Sequence, residues 1–170
     1  MKKKILFAFV ALLGMGVFTA CSDDDDNDTP SVVEKQYVDA LNKLYPKAKD
    51  VEWKKEAAYT VAEFNYPAEY VGVDVWFDGN ASWMMTSHDY GKNLFFLPPI
   101  VEAAFNTTDY STWTVDDIEY YEYPVNTKNF YLIEVEKQGE PDANLFFKED
   151  GTLIKTVSGE IAEITPDTAI

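Results

Sequence analysis

The sequence contains no arginine, and its 14 lysines stand against 30 acidic residues, for a formal charge of −16. Proteins that bind nucleic acid neutralise phosphates with clustered Lys and Arg, and Arg is the usual bidentate partner of carboxylates and phosphates. The composition therefore argues against nucleic acid and against anionic substrates. A cationic or neutral partner is expected, although acidity also serves solubility.

Cysteine and histidine occur once each, as Cys21 and His88. A single Cys rules out an intrachain disulfide, and one Cys with one His provides neither a zinc site nor a Cys–His nucleophile pair. Gly-x-Ser-x-Gly and glycine-rich phosphate loops are also missing. His88 is expected in a surface loop. Glu63 and Glu134 are the acids to consider for paired-carboxylate chemistry, but pairing with surface lysines is favoured. We predict no enzyme, no cofactor and no metal.

The N-terminal residues 1–20 have the pattern of a secretory signal. Lys2, Lys3 and Lys4 precede a 16-residue apolar run, residues 5–20, which is short for a transmembrane helix of about 20 residues. The stretch Phe18-Thr19-Ala20-Cys21 resembles the bacterial lipobox, with Phe18 in place of the usual leucine. We expect cleavage before Cys21 and lipid attachment to it.

Residues 21–30 are expected to form a disordered acidic tether. Five aspartates follow Cys21 within seven positions, and like charges this close repel one another and stay solvated. The run resembles the acidic export signal of surface lipoproteins in Bacteroidetes-type bacteria, although a plain spacer fits as well. The predicted location is the cell envelope, with the lipid on Cys21 in the outer membrane and the protein surface-exposed, or alternatively facing the periplasm.

Two segments of the remaining chain share one pattern. Residues 59–64 align with residues 130–135, and residues 76–86 align with residues 146–156, at offsets of 71 and 70. A near-constant offset indicates an internal repeat. We predict repeats at 31–93 and 94–158, followed by a C-terminal tail at 159–170.

Each repeat reads as a helix followed by strands. Ser31-Val32-Val33-Glu34 has the form of a capping box, followed by an apolar stripe at Val33, Tyr37, Leu41 and Leu44 that ends at Pro46. The second helix is predicted to open at Pro98-Pro99. Asp78-Gly79-Asn80 and Glu149-Asp150-Gly151 are predicted turns, in which Gly and Asn supply positive φ.

Period-two alternation divides the strands into two faces. If helices cover Val73, Val75, Ile133 and Val135, the opposite face is strongly aromatic. An antiparallel sheet often leaves one face to solvent, and a large exposed apolar patch marks a binding surface. Loops or a partner could cover this face instead, and a one-residue slip would exchange the faces. The partner-binding candidates are Tyr59, Tyr70, Trp76, Trp83, Phe130, Leu132 and Phe146.

The chain resembles the PepSY-like family, which is similar to the β-lactamase inhibitory proteins. The matching residues are Leu41, Leu44-Tyr45-Pro46-Lys47-Ala48-Lys49, Val51-Glu52-Trp53, Ala62-Glu63-Phe64, Val75-Trp76-Phe77-Asp78-Gly79-Asn80, Trp83, Leu97-Pro98-Pro99, Ala104-Phe105, Ile133-Glu134-Val135 and Asp150-Gly151. The resemblance implies an α+β fold: two tandem helix-plus-antiparallel-sheet repeats forming one continuous sheet, with helices on one face and a concave open face opposite.

These observations predict a non-enzymatic exported lipoprotein that binds another macromolecule through the aromatic sheet face. A protein is the favoured partner, which the chain could inhibit. A glycan stacked on Trp76, Trp83 and Tyr59 is one alternative, and a structural role in an envelope assembly is another. The partner's identity and the oligomeric state do not follow from the sequence.

Overall fold

The computed structural model describes residues 33–66 and 72–168 and shows an α+β fold. Eight antiparallel strands form one open sheet in the order β1 to β8, so each strand pairs with its neighbours in the sequence. Two helices accompany the sheet. The elements are α1 Lys35–Leu44, β1 Glu52–Glu56, β2 Tyr59–Phe64, β3 Gly72–Phe77, β4 Trp83–Gly91, α2 Pro99–Phe105, β5 Thr114–Glu122, β6 Phe130–Glu136, β7 Ala143–Phe147 and β8 Leu153–Ser158.

Helix α1 starts later than its predicted capping box. Ser31 lies outside the described residues, and the N-cap is Glu34, whose side chain makes no capping hydrogen bond. The Glu34 carboxylate instead accepts a hydrogen bond from the Gln36 side-chain amide at 2.8 Å. The predicted apolar stripe is correct for Tyr37 and Leu41, which are buried against β2 and β3. It is wrong at its end, because Leu44 is exposed.

Helix α2 begins where the two prolines predict. Pro99 occupies the first turn, where a missing N–H costs nothing. Val101 and Phe105 are buried in a cluster with residues of β5, β6 and β7, among them Ile118, Ile133 and Leu145. Seven residues are too few for a stable isolated helix, so this packing holds α2 in place.

The strands follow the predicted alternation. Val73 and Val75 share a buried cluster with α1, and Ile133 and Val135 share one with α2. Residues at the intervening positions, such as Trp76 and Leu132, form a separate cluster. In the described part of the chain, no helix has the length and apolarity needed to cross a membrane.

The β3–β4 and β7–β8 connections are the two predicted turns. The Asp78 carboxylate accepts hydrogen bonds from the N–H groups of Asn80 and Ser82, both at 2.8 Å, which is turn chemistry. The expectation that Gly79 or Asn80 has positive φ is wrong, because Ala81 takes that conformation at φ 57°. In the second turn, Gly151 has φ 84° as predicted.

We expect Gly151→Ala to destabilise the fold more than Gly139→Ala does. Both glycines have positive φ, 84° and 86°, so each substitution carries the left-handed penalty of about 1–2 kcal/mol. An added Cβ at Gly151 would lie 2.8 Å from the backbone oxygen of Ile100, whereas none of the described atoms lies within 4 Å of one at Gly139. Urea unfolding should therefore give a lower midpoint for the Gly151 variant. Equal midpoints would show that α2 shifts away at no cost.

Candidate interaction face

One face of the sheet carries the predicted aromatic residues, and we call it the second face. Cross-strand pairs share a face, and Val61 pairs with Trp76, which pairs with Met85. In the same way Tyr121 pairs with Phe130, and Leu132 with Phe146. The buried residues of this cluster are Tyr59, Val61, Trp76, Met85, Tyr121, Tyr123, Phe130, Leu132, Phe146 and Ile164.

Contacts between aromatic rings organise the second face. The Tyr121 and Phe130 rings stack with centroids 4.8 Å apart, Phe130 and Phe146 lie 5.8 Å apart, and Tyr59 meets Trp76 edge to face at 5.9 Å. Such pairs contribute about 0.5–1.5 kcal/mol each beyond their burial. The face is thus a packed aromatic layer.

The prediction that this layer is open to solvent is wrong. Trp76 is 2% exposed and Phe130 is 0% exposed. Residues 160–168, which we call the C-terminal segment, cover it: Ile164 is buried within the cluster, and Ile161 packs against it. These residues belong to the predicted C-terminal tail, 159–170. The signal for their role is the pair of isoleucines three positions apart.

Five of the predicted partner-binding residues therefore lie together but are buried, namely Tyr59, Trp76, Phe130, Leu132 and Phe146. Trp83 is elsewhere: it is half-buried against the α1 cluster, and its indole N–H donates to the Thr86 hydroxyl at 2.9 Å. Tyr70 and Cys21 lie outside the described residues.

Two buried polar atoms of the second face lack a hydrogen-bond partner among the described residues. They are the Trp76 indole nitrogen and the Tyr123 hydroxyl. Burial raises the pKa of Tyr123 to about 12. A buried donor without a partner costs about 1–3 kcal/mol, so this layer is packed at some cost in unsatisfied polar groups.

Acidic residues border the aromatic layer on β5 and β6. The Tyr121 hydroxyl donates to the Glu119 carboxylate at 2.8 Å. Burial raises the pKa of Glu119 to about 7 against the lowering effect of this bond, and the nearby charges of Asp117, Glu134 and Asp89 raise it further. The sequence signal for this face is the alternation Glu119-x-Tyr121-x-Tyr123, which runs along β5 and one residue past its end.

A single lysine lies among acids on β1 to β3. The Lys54 ammonium is 3.5 Å from Glu56, 3.7 Å from Glu63 and 3.6 Å from Asp74. The expected pairing of Glu63 with a surface lysine is thereby confirmed. Burial raises the pKa of Asp74 to about 6 despite Lys54. Carboxylates outnumber ammonium groups here, so the local field favours a cation.

A cavity of about 260 Å³ lies between the sheet and the C-terminal segment. Leu132, Ile161 and Ile164 provide its apolar walls, and Glu119, Glu134 and Glu163 its carboxylates. Burial raises the pKa of Glu163, as do the charge of Glu56 and a hydrogen bond with it. An amphipathic cation, such as an extended Lys or Arg side chain, matches this combination of walls.

His88 is not the surface loop residue that the sequence analysis expected. It lies on β4 and is 5% exposed, paired in register with Val73 and Tyr120. Its ring stacks on Tyr120 with centroids 5.7 Å apart, and its Nε2 is 3.6 Å from Glu122. Within residues 33–66 and 72–168, no group of three or more His, Cys, Asp or Glu side chains could hold a metal ion.

The fold and the second face define an α+β protein built on one open antiparallel sheet. The profile of the PepSY-like family, described as "putative beta-lactamase-inhibitor-like", matches residues 58–155. The chain belongs to the PepSY-like family.

Solved structures of similar proteins agree with this assignment. A BLIP-like protein from Bacteroides fragilis is 33% identical, with a TM-score of 0.70 over 79% of this chain and 94% of that one. A DUF2874 family protein from Bacteroides ovatus is 30% identical, with a TM-score of 0.67 over 78% and 89%. A chain from Bacteroides eggerthii, described as "putative periplasmic", is 25% identical, with a TM-score of 0.68 over 75% and 90%. No curated protein matches the chain.

Proposed function

We propose that this chain is a non-catalytic protein of the cell envelope that binds another protein through the second face of its sheet. The observation that carries the proposal is the aromatic layer, which holds two buried donors with no partner among residues 33–66 and 72–168 and is covered by a segment with two isoleucines. Membership of a family described as inhibitor-like supports a protein partner, and inhibition of an enzyme is one form such binding takes.

The envelope location is part of the same proposal. Lipid attached to Cys21 anchors the chain, and the acidic residues 22–30 act as a tether. Both lie outside the described residues. A structural relative described as periplasmic supports export, and we place the folded part on the outer membrane, surface-exposed.

The repeats at 31–93 and 94–158 belong to the proposal as well, and the turns support them. The Asp78 N–H donates to the Ser82 carbonyl and the Ala81 N–H to the Asp78 carbonyl, both at 3.0 Å. Seventy residues later, the Lys148 N–H donates to the Thr152 carbonyl at 2.9 Å and the Gly151 N–H donates to the Lys148 carbonyl at 3.0 Å. Irregular register at residues 76–77 recurs at residues 146–147. Each repeat then supplies one helix and four strands.

We infer that both helices lie against the same side of the sheet. Val73 pairs with His88, His88 with Tyr120, and Tyr120 with Tyr131, which links the α1 cluster to the α2 cluster across one face. The second face is then the side without helices, and the C-terminal segment lies on it. The glycan alternative needed Trp76, Trp83 and Tyr59 as one platform, but Trp83 packs with the α1 cluster.

Charge reversal at the second face tests the proposal. Glu52 and Glu63 are exposed cross-strand neighbours beside Lys54, so Glu52→Lys with Glu63→Lys should abolish capture of an envelope protein by the full chain. The control is Asp109→Lys with Glu140→Lys, which changes the net charge equally at exposed loop positions and should capture as the unmodified chain does. Equal capture by all three would refute binding at this face.

A further inference from the structure

The C-terminal segment is held at a defined point where it leaves β8. Gly159 has φ 84°, its N–H donates to the Asp142 carbonyl at 2.7 Å, and its carbonyl accepts from the Asn144 side-chain amide at 2.7 Å. These bonds turn the chain back over the second face. The attachment point is therefore fixed independently of the residues that follow it.

Beyond Gly159, side chains rather than strand pairing seat the segment. It forms no strand, and its apolar contacts are those of Ile161 and Ile164. Burial raises the pKa of the Tyr59 hydroxyl, and the hydrogen bond that this hydroxyl donates to Asp167 raises it further. The segment is thus held by the side chains of Ile161 and Ile164 and by the Tyr59–Asp167 hydrogen bond, as a separate bound peptide would be.

The charge of the segment suits the second face poorly. It carries Glu160, Glu163 and Asp167 and no basic residue. Glu163 lies beside Glu56, which raises its pKa, and near Lys54, which lowers it. It also lines the cavity with Glu119 and Glu134, so the acids around Glu163 outnumber this one lysine. Neighbouring like charges repel. A segment with the same apolar spacing and a basic residue at position 163 would therefore bind the face better.

We propose that the second face is a docking surface for an extended, basic polypeptide segment of a partner protein, and that the C-terminal segment is its displaceable built-in occupant. This rests on the proposed function and specifies the partner's chemistry. The partner segment presents two aliphatic side chains three positions apart, with Lys or Arg entering the acidic cavity.

A competition experiment on the full chain tests the proposal. The probe is a fluorescent nine-residue peptide, the sequence of residues 160–168 with lysine in place of both glutamates. We expect fluorescence anisotropy to show saturable binding that weakens with added salt, as screening of exposed charges requires. A matched peptide with alanine in place of both isoleucines should bind at least tenfold more weakly.

Two variants of the chain separate competition from binding elsewhere. Ile164→Ala weakens the built-in occupant, so the basic peptide should bind several-fold more tightly. Glu163→Lys gives up the attraction to Lys54 but places a cation among Glu56, Glu119 and Glu134. The gain outweighs the loss and strengthens the occupant, so the same peptide should bind several-fold more weakly. Affinities that do not respond to either variant, or no saturable binding, would overturn the proposal. If Ile164→Ala fails to fold, Glu163→Lys alone decides.

The outcomes also separate this inference from the proposed function. The peptide experiment uses no envelope extract, so it can succeed even if the charge-reversal experiment finds no partner. Suppose that capture depends on Glu52 and Glu63 but that the affinity of the peptide does not respond to the Ile164 and Glu163 variants. The protein-binding function would then stand, and the C-terminal segment would have no role in it.

Discussion

Replacing Phe130 with alanine is expected to lower the free energy of unfolding by about 3–5 kcal/mol, the usual cost of removing a buried aromatic side chain. Phe130 is 0% exposed and contacts the rings of Tyr121, Tyr123 and Phe146. The cavity left behind cannot be filled without moving three strands. Urea unfolding followed by circular dichroism measures the loss.

Phe95→Ala is the matched control for this substitution. Phe95 is 85% exposed, and surface substitutions usually change stability by less than about 0.5 kcal/mol. A loss below about 1 kcal/mol for Phe130→Ala would contradict the packed second face. Trp76 and Phe146 are also buried, so replacing either with alanine would disturb the fold. Such variants could not separate a loss of binding from a loss of stability.

The second large effect is a fall in stability as the pH rises. The folded-state pKa of Glu119 is about 7 and that of Asp74 about 6, both above the ordinary values of 4.5 and 3.8. A raised carboxyl pKa means that the folded state favours the protonated form. Its stabilisation is fully present below the ordinary pKa and is lost as the pH rises through the folded value. Unfolding free energy should therefore decrease between about pH 4 and pH 8.

Glu119→Gln isolates the larger part of this dependence. The glutamine amide stays neutral and still offers an oxygen to the Tyr121 hydroxyl. It should therefore raise the unfolding free energy at pH 8 by about 2–3 kcal/mol and leave it nearly unchanged at pH 4. Glu140→Gln, at an exposed loop position, should follow the unmodified chain at every pH. Parallel curves for the Glu119 variant and the unmodified chain would exclude this carboxyl as the source.

Charges on three strands add to the effect of burial on the pKa of Glu119. Glu119 on β5 faces Asp89 on β4, Asp117 on its own strand and Glu134 on β6, and Glu163 of the C-terminal segment lines the same cavity. Asp74 adds a dependence of its own, so only the difference between variants belongs to Glu119.

Local patterns in the sequence were sufficient for most elements of the fold. Pro98-Pro99 predicted the start of α2, the alternation at Val73 and Val75 predicted that these residues share one face of β3, and Asp150-Gly151 predicted a turn. Each of these signals depends on neighbours within a few positions. The start of α1 was wrong because Glu34, not Ser31, precedes the first helical residue, and position 81 was missed because alanine rarely adopts positive φ.

The sequence by itself determined which residues share a face, because side chains alternate along every strand and pairing preserves that alternation. It placed Tyr59, Trp76, Phe130, Leu132 and Phe146 together, and they are together. Only the tertiary structure decided whether that face meets solvent. Ile161 and Ile164 cover it from residues 160–168. Their spacing marks them as an apolar pair, but it does not say which surface they pack against, because contacts between segments distant in sequence follow no local pattern. The same packing raises the pKa of Glu119, because the desolvation of a carboxyl depends on which residues cover it in the folded chain.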